Sequence, residues 1–246
     1  MSLSSKAIVL SFEDFGEADR YVTLFTQNWG MITVLAKAAR KSKRRYVGGL
    51  DLFCHNEIFI RGEPKGRPYL TELVVLNSFP GIRDNLEKLL AAGTCTQWIK
   101  KLADTSIPME SVYRLFGQTL SLIEKETDTE RFGLLHLVFK LKLLSLLGLK
   151  PRVDQCTRCD NTDFLTNTIF RFEMGAGGII CDPCVTQARL GDRIELMGHE
   201  RHFLHAIDAM KLSHWNALKF PEDSTRSLSR LMTLFASYHT QLRLPI

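Results

Sequence analysis

Near Pro80-Gly81 the hydrophobic pattern of the chain changes period, and that change sets what it can fold into. Upstream, residues 6–12, 20–27, 31–37, 55–61 and 68–77 are short runs rich in Val, Ile, Leu, Phe, Tyr and Thr, separated by turn-like pieces at 15–19, 28–30 and 62–66. Branched and aromatic side chains suit a pleated, half-buried surface, and Gly, Asn and Pro supply turns. Five such strands fit a small closed or partly open barrel, of which the OB-fold is the commonest five-stranded example; a five-stranded sheet with helices is the alternative. Downstream the period is helical. Apolar residues recur near 3.6 in 82–102, through Ile82, Leu86, Leu89, Leu90, Trp98, Ile99 and Leu102. Pro108 suits the first position of a second helix, and Thr129 can cap a third over 130–147, stopped by Gly148 and Pro151. This third helix is apolar on nearly every side and is expected to be the buried, central one. Residues 199–212 and 224–243 give two more amphipathic stretches.

With 45% hydrophobic and 24% charged residues over 246 positions, the chain has the makings of a core, which excludes a mainly disordered, collagen-like or disulfide-dense chain. The longest apolar stretch, 134–149, is interrupted by Lys140 and Lys142 and falls short of the roughly 20 residues that a bilayer requires. No targeting segment is read at the N-terminus, so a cytoplasmic chain is expected.

Four of the six cysteines, Cys156, Cys159, Cys181 and Cys184, form two C-x2-C pairs with 21 residues between them. Two thiolates three residues apart on a tight turn reach one metal, and two such knuckles complete a tetrahedron around Zn²⁺. Residues 164–172 suit a strand pair, and Gly175-Ala176-Gly177-Gly178 precedes the second knuckle, which is how a zinc ribbon is built. With every position filled by a protein thiolate, one structural zinc is expected and no catalytic one. A pair of redox dithiols lacks its βαβ context, and a deaminase site lacks the H-x-E half. Cys54 and Cys95 stand alone and read as small buried residues.

The formal charge of +5 is mild, but its placement is not. Lys37, Arg40, Lys41, Lys43, Arg44 and Arg45 put six cations in nine residues, and no acidic residue occurs from Arg20 to Leu50. In the gap between strands three and four, such a run is expected to bind phosphates, with Tyr46 beside it as a stacking face for bases. Six neutralised single-strand phosphates predict a slope of log affinity against log salt of about −4.

Several stretches together resemble the RecO family, the bacterial recombination mediators of DNA repair. Phe15-Gly16-Glu17-Ala18-Asp19-Arg20 followed by Val22-Thr23-Leu24-Phe25-Thr26 is similar to the family's first hairpin. Residues 36–45 followed by Gly48-Gly49-Leu50-Asp51-Leu52-Phe53 are similar to its basic loop and the entry to the fourth strand. Leu143-Leu144 through Gly148-Leu149-Lys150-Pro151, the knuckles and Gly177-Gly178 are similar to its most recognisable stretch. One departure is visible: the family often has a glycine before the basic run, where this chain has Ala38-Ala39. The resemblance implies an α+β multidomain chain, with an N-terminal OB-fold β-barrel (1–80) and an α-helical domain (81–246) embedding a four-cysteine zinc ribbon at about 152–187. It also implies binding of single- and double-stranded DNA, annealing of complementary strands and help in loading RecA onto DNA coated by single-strand binding protein. RecR and the acidic C-terminal tail of that binding protein are implied partners, the tail in an apolar groove rimmed by Lys or Arg, and a nucleoid-associated cytoplasmic location follows.

No enzyme is expected. His199-Glu200-Arg201-His202, with His205 beyond, misses H-E-x-x-H because Phe203 occupies the required position, and no G-x-x-x-x-G-K-[ST] occurs. A zinc-ribbon transcription or translation factor is the alternative, and a metal-dependent hydrolase a more distant one.

Overall fold

The period-2 runs form strands, with β1 longer than the pattern predicts. In the computed structural model, which describes residues 2–42, 45–103, 107–166, 168–185 and 193–245, they are β1 (Ser2–Phe15), β2 (Asp19–Thr26), β3 (Gly30–Ala36), β4 (His55–Arg61) and β5 (Tyr69–Asn77). They close into a barrel in the order β1-β2-β3-β5-β4, the OB-like arrangement expected. Alternate residues face inward: Ala7, Val9, Val22, Leu24, Ile32, Val34, Ile58, Ile60 and Leu70 share one buried cluster. The extra length of β1 pairs with β2 as far as Phe15 opposite Asp19, and Gly16 turns the chain there at φ 58°.

Three helices follow within the same compact unit, Met1–Thr129. The periodic stretch 82–102 is two helices, α1 (Pro80–Arg83) and α2 (Leu86–Leu102), because the Asn85 side chain accepts the Lys88 N–H at 2.9 Å and starts the second afresh. In α3 (Glu110–Lys125) the cap is Met109, so Pro108 precedes the cap rather than opening the helix. This helix covers part of the barrel's outer face. Tyr113 packs against Phe25 with centroids 5.8 Å apart and meets His55 Nε2 through its hydroxyl at 2.8 Å, while Gly117 lies over Ile8. The strand-to-helix change near residue 80 therefore does not coincide with the division into compact units.

The second unit, Glu130–Ile246, is built around α4 (Phe132–Leu146). Its all-round apolar surface is buried as predicted, and the two interrupting lysines are absorbed by neighbours. Lys140 is 2% exposed and donates to the hydroxyls of Ser229 at 2.8 Å and Thr233 at 3.0 Å on α7 (Glu222–Thr240). Lys142 donates to the carbonyls of Asp208 and Met210 at the end of α6 (Gly198–Ala209), where a cation suits the helix dipole. The ribbon contributes a sheet in the order β7-β6-β8, from β6 (Ile169–Glu173), β7 (Gly178–Ile180) and β8 (Arg193–Met197), with the single turn α5 (Asp182–Val185) after β7. Its buried face meets α7 through an edge-to-face contact of Phe172 with Phe235 at 5.7 Å. Strand β8 lies beyond the expected insert at 152–187 and leads directly into α6.

Candidate metal centre and nucleic-acid interface

The four cysteines converge. Their Sγ atoms all lie within 4.8 Å of one another, with Cys159 and Cys181 at 3.5 Å. A tetrahedron with metal–sulfur bonds of about 2.3 Å needs sulfurs about 3.8 Å apart, so the set fits one tetrahedral ion. Local folding explains the convergence. Asp160, at φ 59°, closes the first knuckle by donating its N–H to the Cys156 carbonyl at 3.0 Å, and the Cys184 and Val185 N–H groups close the second on the Cys181 carbonyl. Burial opposes a thiolate at Cys156, but N–H groups of Cys181, Arg158 and Cys159 bring the thiol down to about 6. The neighbouring sulfurs, Cys181 first, push Cys184 up to about 12, so that with no cation among them the four favour one thiolate over four.

Two further contacts lock the knuckles to the sheet. Arg158 forms a bidentate pair with the buried Glu173 of β6, Nη2 to Oε1 at 2.8 Å and Nε to Oε2 at 3.2 Å. The backbone of Arg152 bridges to Gly178 so closely that a Cβ at residue 178 would overlap the Arg152 carbonyl oxygen. Among the described residues, the cysteines are the one group of three or more His, Cys, Asp or Glu side chains placed to share an ion. The histidines of α6 do not converge on a site: His202 is engaged by the Gly198 carbonyl at 2.7 Å and His199 by Ser224 at 3.3 Å. As expected, Cys54 and Cys95 are buried.

The basic run follows β3 at the end of the barrel where the β1–β2 hairpin projects. Of the residues singled out there, Lys43 and Arg44 lie outside the described residues. Lys37, Arg40, Lys41 and Arg45 are exposed. The sequence offers no nearby acid, yet the fold brings three. Arg40 reaches Asp14 at 3.5 Å, Lys41 reaches Glu17 at 3.8 Å, and Asp19 accepts the Ala38 N–H at 2.7 Å, all from the hairpin. Such exposed pairs hold the loop only weakly, each worth about 0–1 kcal/mol. Ala38 itself sits at φ 55°, the left-handed conformation that a glycine takes without strain.

Tyr46 requires a correction. It is 4% exposed and packs in the barrel core, its hydroxyl donating to the Leu70 carbonyl at 2.8 Å, and burial pushes its pKa up against the lowering effect of Arg45. Its ring is a structural part of the barrel and offers no stacking face. The exposed rings at this end, Phe15 and Tyr69, were missed because 15–19 reads as a turn and Tyr69 opens a strand.

In the second unit, a groove of about 510 Å³ runs between β8 and α7, with Ile194, Leu196, Leu231 and Leu234 along it and charges of both signs, Glu195, Glu200, Asp223, Arg226 and Arg230, among its lining. No helix among the described residues is long and apolar enough to cross a membrane.

Two family models match the chain, described as Recombination protein O N terminal over residues 1–79 and Recombination protein O C terminal over residues 83–245. The chain belongs to the RecO family. Curated RecO relatives, each named DNA repair protein RecO, agree. The one from Acetivibrio thermocellus is 32% identical over 183 residues, covering 74% of this chain and 70% of its own. The one from Syntrophus aciditrophicus is 26% identical over 235 residues, covering 95% and 89%. The RecO boundary between the two family models, at 79 to 83, falls where the period changes, upstream of the break between compact units at 129.

Proposed function

We propose that this RecO-family chain is a recombination mediator without covalent chemistry, which binds single- and double-stranded DNA, anneals complementary strands and helps load RecA onto strands coated by single-strand binding protein. The carrying observation is the gathering of Lys37, Arg40, Lys41 and Arg45 at the hairpin end of the OB-like barrel, beside Lys43 and Arg44 in sequence. Two like-charged strands repel. A cationic surface that holds both lowers that repulsion and raises their local concentration, which is all that annealing requires. Asp14 and Glu17 pair only weakly with Arg40 and Lys41, so phosphates compete readily for the same cations.

The cysteine cluster takes one structural Zn²⁺, held by Cys156, Cys159, Cys181 and Cys184; thiolate donors select soft, tetrahedral metals, and four of them leave no position open for water. RecR is a partner by family membership. The acidic tail of single-strand binding protein is a second partner by family membership.

Annealing of complementary oligonucleotides, bare and coated with single-strand binding protein, tests the reading. A variant neutralised at Arg40, Lys41, Lys43, Arg44 and Arg45 is expected to lose annealing on both, and its salt slope to flatten from about −4 towards −1. Annealing equal to the parent's would remove this surface from the mechanism.

A further inference from the structure

Across the outer face of the barrel, at the end where the cations gather, the sheet register lines up a row of rings. Phe15 on β1 and Tyr21 on β2 share this face, with centroids 5.0 Å apart and planes inclined at 55°. Tyr21 is in register with Leu35 on β3, and Leu35 with Tyr69 on β5. Adjacent strands lie about 4.8 Å apart, so the row crosses four strands in about 14 Å. Phe15 is 51% exposed and Tyr69 46%, while Tyr21 and Leu35 are half-buried.

The other end of the same face is closed. There Ile8 and Phe25, also in register, are fully buried, Ile8 beside Gly117 of α3 and Phe25 against Tyr113. Phe12, under the Arg20 guanidinium 4.0 Å from its ring centroid, lies on the opposite face of the hairpin and outside the row. The row is exposed at Phe15 and Tyr69, with cations at both ends and the Glu13 carboxylate in register with Tyr21. Lys37 Nζ stands 4.5 Å from the Tyr69 ring centroid at one end, and Arg40 and Lys41 pair with the hairpin beside Phe15 at the other. Exposed rings flanked by positive charge fit a ligand that is itself flat, apolar on its faces and anionic along its edge. Single-stranded nucleic acid has that chemistry, and the strand 2–3 face of OB-folds accepts it.

We propose that Phe15, Tyr21 and Tyr69 form a base-stacking platform for single-stranded DNA, the phosphates following Lys37, Arg40 and Lys41. This rests on the DNA-binding reading above and adds to it a contact with bases, which a cationic loop alone does not make. Stacking is tolerant of sequence, as a strand annealer requires.

The test titrates three full-length proteins, the parent, Phe15→Ala/Tyr69→Ala and Lys37→Ala/Arg40→Ala/Lys41→Ala, with oligothymidine and with an abasic strand of equal length. The ring variant is expected to lose about 100-fold in affinity for oligothymidine, about tenfold per ring, and to bind the abasic strand as the parent does with the same salt slope. The cation variant is expected to lose affinity for both strands, with a flatter slope. Tyr69→Phe, which keeps the ring, is expected to bind like the parent. Parent-like oligothymidine binding by the ring variant, with loss in the cation variant, overturns the platform and leaves the DNA reading standing. Equal loss on both strands in the ring variant also overturns it, since a stacking defect spares the abasic strand. A parent that binds neither strand removes the DNA reading itself.

Discussion

In the ribbon, two cysteines three residues apart need only one tight turn to aim both thiols at one point, and the knuckles formed as the spacing predicts. In the basic loop, cations packed into nine residues repel one another, and no local rule says where they go. Arg40 and Lys41 meet Asp14 and Glu17, more than 20 residues upstream, only because the pairing of β1 with β2 brings the hairpin beside the loop. A metal site is written in short-range spacing because ligand stereochemistry demands it. A charged surface is written in the fold, because exposed ion pairs constrain a long side chain so little.

The largest effect that would break this contrast lies in the ribbon. Cys156→Ser is expected to take metal content from one zinc per chain to none and to unfold the ribbon, since metal binding in such sites is folding free energy of roughly 10 kcal/mol or more in isolated fingers. Elemental analysis with thermal melting reads both. A variant that keeps its zinc would show that three thiolates suffice and that the spacing over-specifies the site.

A smaller effect separates backbone from ligand. Gly178→Ala places a Cβ against the Arg152 oxygen and must break the bridge that joins the first knuckle to β7. A loss of about 2–4 kcal/mol is expected in urea unfolding, with zinc still bound at stoichiometry. Loss of the metal as well would mean that the thiol geometry depends on this strand contact, bringing the ribbon closer to the loop's long-range logic.

The smallest effect is in the loop. Ala38→Gly relieves a left-handed residue and is expected to raise stability by up to about 1 kcal/mol, seen as a higher urea midpoint at unchanged slope. A lower midpoint would mean that the Asp19 contact over-determines Ala38 and that glycine's added freedom in the unfolded chain outweighs the strain.

Much of the fold was legible, and where it was not the reason is local. All five barrel strands were visible because alternation repeats within each, and α4 because a helix buried on every side has no polar stripe to confuse the period. The single helix over 82–102 became two because a cap at Asn85 outranks a continuing period. Strand β8 was missed because five residues, Arg193–Met197, carry too little alternation to stand out between a knuckle and an amphipathic helix. Within the sites, the cysteines were legible in full. Tyr46 was misjudged because adjacency to a basic run says nothing about which face of the barrel a ring takes. Phe15, which the platform proposal adds, is not legible in the sequence because the alternation of β1 ends at Phe12 and residues 15–19 read as a turn.

Closure of the barrel has one consequence for whatever lies on it. With β1 paired to β2 on one side and β4 on the other, the strand order has no terminal member. The closure is thin where β3 meets β5, at the one bridge between Leu35 and Tyr69, and on the DNA-binding proposal a nucleic-acid strand, which cannot extend a peptide ladder, is held there by side chains. A grip without a backbone ladder has no preferred alignment. On that proposal, a DNA strand would advance by one nucleotide and find an equivalent set of contacts, free to shift while its complement searches for the matching register.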